Sequence, residues 1–561
     1  MKKFLSLLLA LAMILAFGAC GTEPAEGSTP PDDGAAASDS PSNETPGNST
    51  IDELNLATSD QTPNTTKSDE TLTVVLASEP NSLITEDGST NQGSFILNFL
   101  TDSFVNYDTV THETSGALFE DWEWVDDTHL RAFIRQGVIC YDGTEFNADD
   151  ALWAIKHNAE KSANSYGAWF NVDNCVKEDE YTVVLEFLSP DPGLINALSE
   201  EGCVVIDQSS YEANGGDDGN RTNPLFGTGP YKFVEWVPGQ YVLIERNEDY
   251  WDDSYVGYYK YIKFTFVSDT ATRIMAVQSG DADIALDISI GQAIEFAGTA
   301  GVDMYAVDAE QSVGIWMNLD NPDSPLANPL VREAIRYAID IEAVNQVFSG
   351  GYASLQPYLI KTTSPYFTDP TDGAGYPEPD IEKAKQLLEE AGYPGGGFTL
   401  RAPIQAEHED LMTAVQAMLA EIGITVEITI PDTGTLVPAL ISGDYDLCAA
   451  RHQSLSYFRA HSYFYCYEPA MSTTYLTGPK IREGTELGEE LQGYIDTAYS
   501  TLDEDEAAEA IANIQQFMYD NCVIVNICSD LASGVCREGL IGFRTWTKEH
   551  IDITRVHPAG T

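Results

Sequence analysis

Arg451, His452, Ser454 and Tyr457 lie within one short stretch and bring together a guanidinium, an imidazole, a hydroxyl and a phenol. Such a set can hold an acceptor-rich solute, because arginine supplies fixed charged donors and the other three supply groups that both donate and accept. Arg451 can equally pair with a neighbouring acid. The motifs of an enzyme are missing: there is no Gly-x-Ser-x-Gly elbow, no Gly-x-x-x-x-Gly-Lys-Ser/Thr loop and no His-Glu-x-x-His. Acids are too abundant for any pair to stand out as a catalytic dyad. The histidines at 112, 129, 157, 408, 452, 461, 550 and 557 are dispersed, with no His-x-x-x-His helix pair, so no metal site is expected. Asp281, Asp283 and Asp287 do not form an EF-hand loop, since Leu286 stands where glycine is needed and Gln292 where the closing acid is needed. No cofactor is expected either.

The 89 acidic residues against 28 basic ones give a net charge of −61, whose field repels phosphate backbones. This excludes nucleic acid as a partner. The acids are spread along predicted helices and turns, which reads as solubility outside the cell. With 43% hydrophobic and 10% aromatic residues the chain is otherwise that of a folded protein. Nine cysteines are few for this length and contain no Cys-x-x-Cys pair. With Cys20 set apart, the eight at 140, 175, 203, 448, 466, 522, 528 and 536 permit disulfides without requiring them. Cys522 and Cys528, six apart, would face one side of a strand.

The elements that must position the candidate residues begin after a leader. Lys2 and Lys3 precede an apolar run from Phe4 to Phe17, which is too short for the roughly 20 residues of a membrane-spanning helix, and then Gly18, Ala19 and Cys20 follow. We expect a lipoprotein signal peptide at 1–19 and lipidation of Cys20, with Phe17 a departure from the usual lipobox. Residues 20–69, rich in Ser, Thr, Pro, Asp and Gly, form a tether that lacks the apolar surface to fold. The rest is too long for one hydrophobic core and should divide into two lobes.

Within it, Gly227 and Gly229 bracket a turn closed by Pro230, and alternation through Tyr231, Phe233, Tyr241 and Leu243 predicts two strands joined at Pro238-Gly239. Asp142-Gly143 makes a turn, and Asn147 or Ala148 opens a helix whose first turn carries Asp149 and Asp150. The segment 273–284 reads as a helix stopped at Gly280 and followed by a short strand. In 329–340 Val331, Ala334, Ile335, Ala338 and Ile339 form an apolar stripe, which leaves Arg332 and Arg336 for surface pairs. A second amphipathic helix runs from an Asp380 cap to Gly392, and a helix at 411–423 leads into a strand at 424–430, an α/β pattern.

The run from Gly227 through Pro230, Trp236 and Asn247-Glu-Asp-Tyr-Trp251 resembles the signature of the family 5 extracellular solute-binding proteins of ABC importers. Further stretches match in order: Gly116–Trp124, Leu130–Val138, Asp142–Asp150, Gly314–Asn318 with Pro329–Asp340, and Asp380–Tyr393. The likeness covers about residues 72–527. It implies a two-lobed, hinge-connected α/β fold of the periplasmic-binding-protein type, class C, with lobe I at 70–308 plus 525–561 and lobe II at 309–524. It further implies a ligand cleft between the lobes and delivery of a small solute, a peptide or a peptide-like molecule, to the transmembrane subunits of an ABC permease. A monomer held by its lipid anchor on the outer face of a bacterial cell membrane is expected. A ligand sensor and a membrane-tethered hydrolase are the alternatives.

The same likeness places Ser89, Thr90 and Asn91 on a cleft-lining loop, Trp316 and Asn318 at the lobe crossover, and Arg401 near a carboxylate-binding arginine of the dipeptide receptors. It also implies a departure. Peptide-binding members carry Gly-Trp-x-x-Asp after the position of Asp446, the aspartate holding the peptide ammonium, whereas Arg451 and Ser454 stand here near the Trp and Asp positions. An ammonium buried without a counter-charge costs several kcal/mol. Free-amine peptides are therefore disfavoured on sequence alone.

Overall fold

Thr71–Leu76 lies inside an eight-stranded sheet of the computed structural model, which describes residues 66–84, 91–108, 113–161, 170–188, 190, 194–199, 205–255, 257–296, 298–362, 364, 366–431, 433–453, 485–498, 500–545 and 551–560. Across that sheet the order is Leu447–Gln453, Val302–Met317, Ile524–Arg537, Ile284–Ala285, Thr71–Leu76, Tyr261–Phe266, Tyr241–Arg246 and Tyr231–Val237. Thr71–Leu76 is parallel to both its neighbours, and Leu72, Val74, Val75 and Leu76 are all buried, as a strand covered on both faces requires.

Two long strands join the halves of the molecule. Val302–Met317 and Ile524–Arg537 pair antiparallel from Val302 opposite Arg537 to Trp316 opposite Ile524. Their ladder slips between Asp308/Leu531 and Ser312/Ser529, where residues 309–311 of the first face only Asp530 of the second. Extra residues on one strand bend and twist it locally. A second irregularity follows between Val313 and Gly314, and there the amide of Gln356 donates to the Ile527 carbonyl at 3.0 Å.

The cores divide around that slip. On one side Tyr305 and Val307 pack with Leu72, Phe95, Phe99, Tyr231, Phe264 and Phe543. An adjoining core lies under the four-stranded sheet of Phe119–Trp124, His129–Ile134, Thr182–Glu186 and Val176–Asp179, covered by helix Ala148–Lys161. On the other side Val313, Ile315, Trp316 and Met317 pack with Val523, Val525 and Ile527 against helices Pro329–Ala338, Ile341–Ser349, Ile381–Glu390, Glu409–Glu421 and Glu504–Asp520. The fold is two-lobed and α/β.

Most local expectations hold. Tyr231–Val237 and Tyr241–Arg246 form the expected hairpin, Gly280 closes helix Thr270–Ser279 in the left-handed conformation, and Asp380 caps Ile381–Glu390 by accepting from the Lys383 amide. Two expectations fail. Arg332 and Arg336 are not surface residues but are 3% and 9% exposed, because the C-terminal end of helix Glu504–Asp520 covers the face of Pro329–Ala338 that the apolar stripe leaves over. Cys522 lies before the strand Ile524–Arg537, in a left-handed conformation with φ 46°, so it shares no strand face with Cys528. Both are unbonded, as are Cys140, Cys175, Cys448 and Cys536, while Cys20, Cys203 and Cys466 lie outside the described residues.

Candidate functional site

The residues of the hairpin signature converge on one acid that the sequence does not advertise. The Thr228 hydroxyl, the Tyr250 hydroxyl and the Trp251 indole N–H donate to Asp102 at 2.8, 2.7 and 2.9 Å. Burial pushes its carboxyl up to about 6 even though all three donors favour the ionised form. Gly227 has φ +103°, and a Cβ on it would lie 2.3 Å from the Leu100 carbonyl oxygen, so only glycine lets the turn sit against the helix Asn91–Leu100. The Gly227 amide in turn donates to Asp207 at 2.8 Å. This is an architectural knot, in which the Asp102 carboxylate is occupied by the three donors and the Gly227 amide by Asp207.

A different arrangement occupies the slip between the long strands. Arg451, on the edge strand Leu447–Gln453 opposite Val313, donates through Nε to Asp530 and through Nη1 to Glu407. Asp530 is the lone residue facing 309–311, and its side chain is 10% exposed; Arg451 is 36% and Glu407 47% exposed. One guanidinium thus lies between two carboxylates, and the cluster carries a formal charge of about −1. Beside it His408 is fully buried, with neither ring nitrogen hydrogen-bonded among the described residues and the Phe348 ring 6.3 Å away. Burial, reinforced by the Arg451 charge, pulls the imidazole down to about 3, so it is neutral at ordinary pH.

The other candidates are distributed unequally. Asn318 is 1% exposed and works as an internal strut: Nδ2 donates to the carbonyls of Gly443 and Tyr445 at 2.8 and 2.9 Å, and Oδ1 accepts from the Asp320 amide at 2.9 Å. Trp316, 3% exposed, belongs to the second-lobe core. The role of Trp316 follows from position, since its strand is enclosed between Leu447–Gln453 and Ile524–Arg537, and Asn318 directly follows that strand, its backbone amide donating to the Asp446 carbonyl at 3.0 Å. Arg401 is tied to Asp444 at 2.6 Å and Asp446 at 3.3 Å, and its backbone exchanges bonds with Asp446, so it fastens strand Thr399–Pro403 to the start of the edge strand. His452 pairs through its backbone with Ser312, next to Arg451, and Asn91 begins helix Asn91–Leu100; the side chains of both lie outside the described set. Ser89, Thr90, Ser454 and Tyr457 lie outside the described residues, as does Cys20.

A family model for bacterial extracellular solute-binding proteins, family 5, matches residues 113–470, well over half the chain. The chain belongs to this family. Among curated relatives, the glutathione-binding protein GsiB of Salmonella typhi is 31% identical over 315 residues, 54% of this chain and 58% of its own length. GsiB of Escherichia coli O157:H7 is 29% identical over 313 residues, with the same shares. The chain thus spans less than two thirds of the relatives it matches. Among solved structures, NikA from Brucella suis in complex with Fe(III)-EDTA superposes with a TM-score of 0.75 at 19% identity, over 87% of this chain and 100% of that one. The periplasmic binding protein AgaA of A. tumefaciens R10, in complex with agropinic acid, superposes at 0.69 with 22% identity, over 88% and 99%. The chain shares the fold of these neighbours. Among the described residues of this family 5 protein no group of three or more His, Cys, Asp or Glu side chains could hold a metal ion, and no helix is long and apolar enough to cross a membrane.

Sequence reasoning missed Asp530, Glu407 and His408. Glu407-His408 precedes the helix Glu409–Glu421 and carries no motif, and Asp530 lies 79 residues from the arginine it meets. The only available signal was position, since Asp530 falls on the strand that returns the chain from one lobe to the other.

Proposed function

We propose that this chain is the extracytoplasmic solute-binding component of an ABC importer, and that the slip in the paired crossing strands is its hinge. The first lobe then comprises 70–308 with 525–561, and the second 309–524. The supporting observation is the coincidence of that slip with the cluster of Arg451, Asp530 and Glu407. A zwitterionic solute exchanges partners with such a cluster: its ammonium takes the place of Arg451 beside Asp530 and Glu407, and its carboxylate takes the guanidinium. The carboxylate missing at Ser454 is thereby supplied from two other elements, and peptides with a free amine return as solutes beside peptide-like molecules. This class agrees with the glutathione named for GsiB and with the Met-Leu complex of a dipeptide-binding relative from Pseudoalteromonas sp. SM9913. Closure of the lobes around the solute creates the form that permease subunits recognise. A lipid on Cys20 and the tether behind it hold a monomer beside that permease, on the outer face of the membrane.

The test is capture. Purified protein incubated with cell and medium extracts, then compared in native and denaturing mass spectra, should release a small zwitterionic mass on unfolding. Arg451→Met and Asp530→Asn should each weaken its retention by at least about tenfold, since each strands one charged partner. Catalytic conversion of the extract without retention would sink the transport reading.

A further inference from the structure

The ion cluster at the slip is unequal in charge, with the cation Arg451 set against two acids, Asp530 and Glu407. Among the described residues no lysine and no second arginine pairs with either carboxylate. His408 adds no charge, since burial keeps its imidazole neutral at ordinary pH. Arg401, tied to the start of the same edge strand, is held by two acids of its own, Asp444 and Asp446. The slip itself is acidic in sequence: Asp308 opens it, Glu310 is one of the residues set opposite Asp530, and no basic residue falls between Asp308 and Ser312.

A zwitterion that puts its ammonium beside Asp530 and Glu407 and its carboxylate on Arg451 brings one charge of each sign, so three negative groups still face two positive ones. Water and salt screen that surplus while the lobes stand apart. Closure removes the water, and a net charge shut into a dry site is strongly unfavourable. A solute with one further cation brings the enclosed charge to zero. A solute with one further acid doubles the surplus, and the field of a chain with 89 acidic and 28 basic residues repels it before it arrives. The two carboxylates are not equivalent. The Asp530 side chain is 10% exposed, whereas that of Glu407 is 47% exposed and comes from another element, the turn Ala406–His408 before helix Glu409–Glu421. Asp530 therefore suits the ammonium inside the hinge, and Glu407 suits a second cation at its rim.

We propose that the hinge cluster selects solutes with a single net positive charge, peptides with a free amine and one further ammonium or guanidinium, and that Glu407 sets this preference. The preference presupposes the solute-binding role and narrows it. It also separates this chain from the glutathione-binding relatives, because glutathione has one acid more than a simple zwitterion.

Alanyl-lysine, alanyl-alanine, alanyl-glutamate and glutathione are the probes, with affinities for the full-length protein read by isothermal titration calorimetry. Alanyl-lysine should bind at least about tenfold tighter than alanyl-alanine, the effect of one added charge pair in a partly enclosed site. Alanyl-glutamate and glutathione should bind more weakly than either, and added salt should narrow the gap. Glu407→Gln keeps the shape of the side chain and removes its charge, so the ratio between the lysyl and alanyl peptides should fall to within about twofold. The order of the four probes in the native protein tests the preference even if that variant fails to fold. Equal affinities for the three dipeptides, tightest binding of glutathione, or an unchanged ratio in Glu407→Gln would overturn the preference and leave the transport reading standing. Binding of none of the four overturns it as well, and the transport reading falls with it only if the extracts also release no solute.

Discussion

Asp102 and Arg451 are both charged groups held by partners remote in sequence, yet they are held in opposite ways. Asp102 lies among neutral donors, two hydroxyls and an indole N–H, contributed by residues 126 to 149 positions later. Arg451 lies between two charges, the exposed Glu407 and the largely buried Asp530, and is itself about a third exposed. A carboxylate fixed by neutral dipoles has nothing to exchange with a visitor, because any replacement must reproduce all three bonds at once. An arginine between two carboxylates can be replaced one partner at a time by a solute that brings its own charges. The first region is a fastener and the second is a site, although both contain an ion in a polar cluster.

The largest effect should come from unfastening the first. Asp102→Leu strands three donors and should cost about 3 kcal/mol or more in denaturant unfolding, with Asp102→Asn costing about half as much because it keeps an acceptor. A loss within about 0.5 kcal/mol would show that the two regions do not differ in this way. Next comes the acid limb set by His408. Its imidazole titrates near 3 when folded and near 6.5 when unfolded, so the unfolded chain binds the extra proton and stability is lost as pH falls through that window. At pH 4 the native protein should therefore lose about 3 kcal/mol relative to pH 7 that His408→Leu does not lose, a difference from which every other titrating group cancels. Equal slopes in the two proteins would mean that the buried ring is already solvated. The smallest effect belongs to Arg401. Its half-exposed pair with Asp444 should contribute less than about 1 kcal/mol, so Arg401→Gln should bind solute within about twofold of the native protein, in contrast to Arg451→Met. A tenfold loss would move the site towards strand Thr399–Pro403.

Much of the scaffold was legible because it obeys short-range rules. The stripe of Val331, Ala334, Ile335 and Ala338, the Asp380 cap and the glycine stop at Gly280 need only neighbours three or four residues away, and all are as expected. Arg332 and Arg336 were misread for the same reason: periodicity sorts apolar from polar faces, but it cannot reveal a second helix, more than 180 residues later, whose terminal carbonyls enclose the polar face. Asn318 is a similar case, since its amide meets backbone near residue 445. The site was half legible. Arg451 stood out as an unusual residue at an informative place, whereas Asp530 and Glu407, two acids among 89, acquire meaning only from the slip that brings them to it.

The position of Ile524–Arg537 in the large sheet bears on how the molecule is made. This strand lies between Val302–Met317 and Ile284–Ala285, so the sheet of the first lobe lacks a central member until a segment far later in the chain than either neighbour has been synthesised. A chain emerging from the ribosome cannot close that lobe early, and its sequence-distant contacts make closure slow.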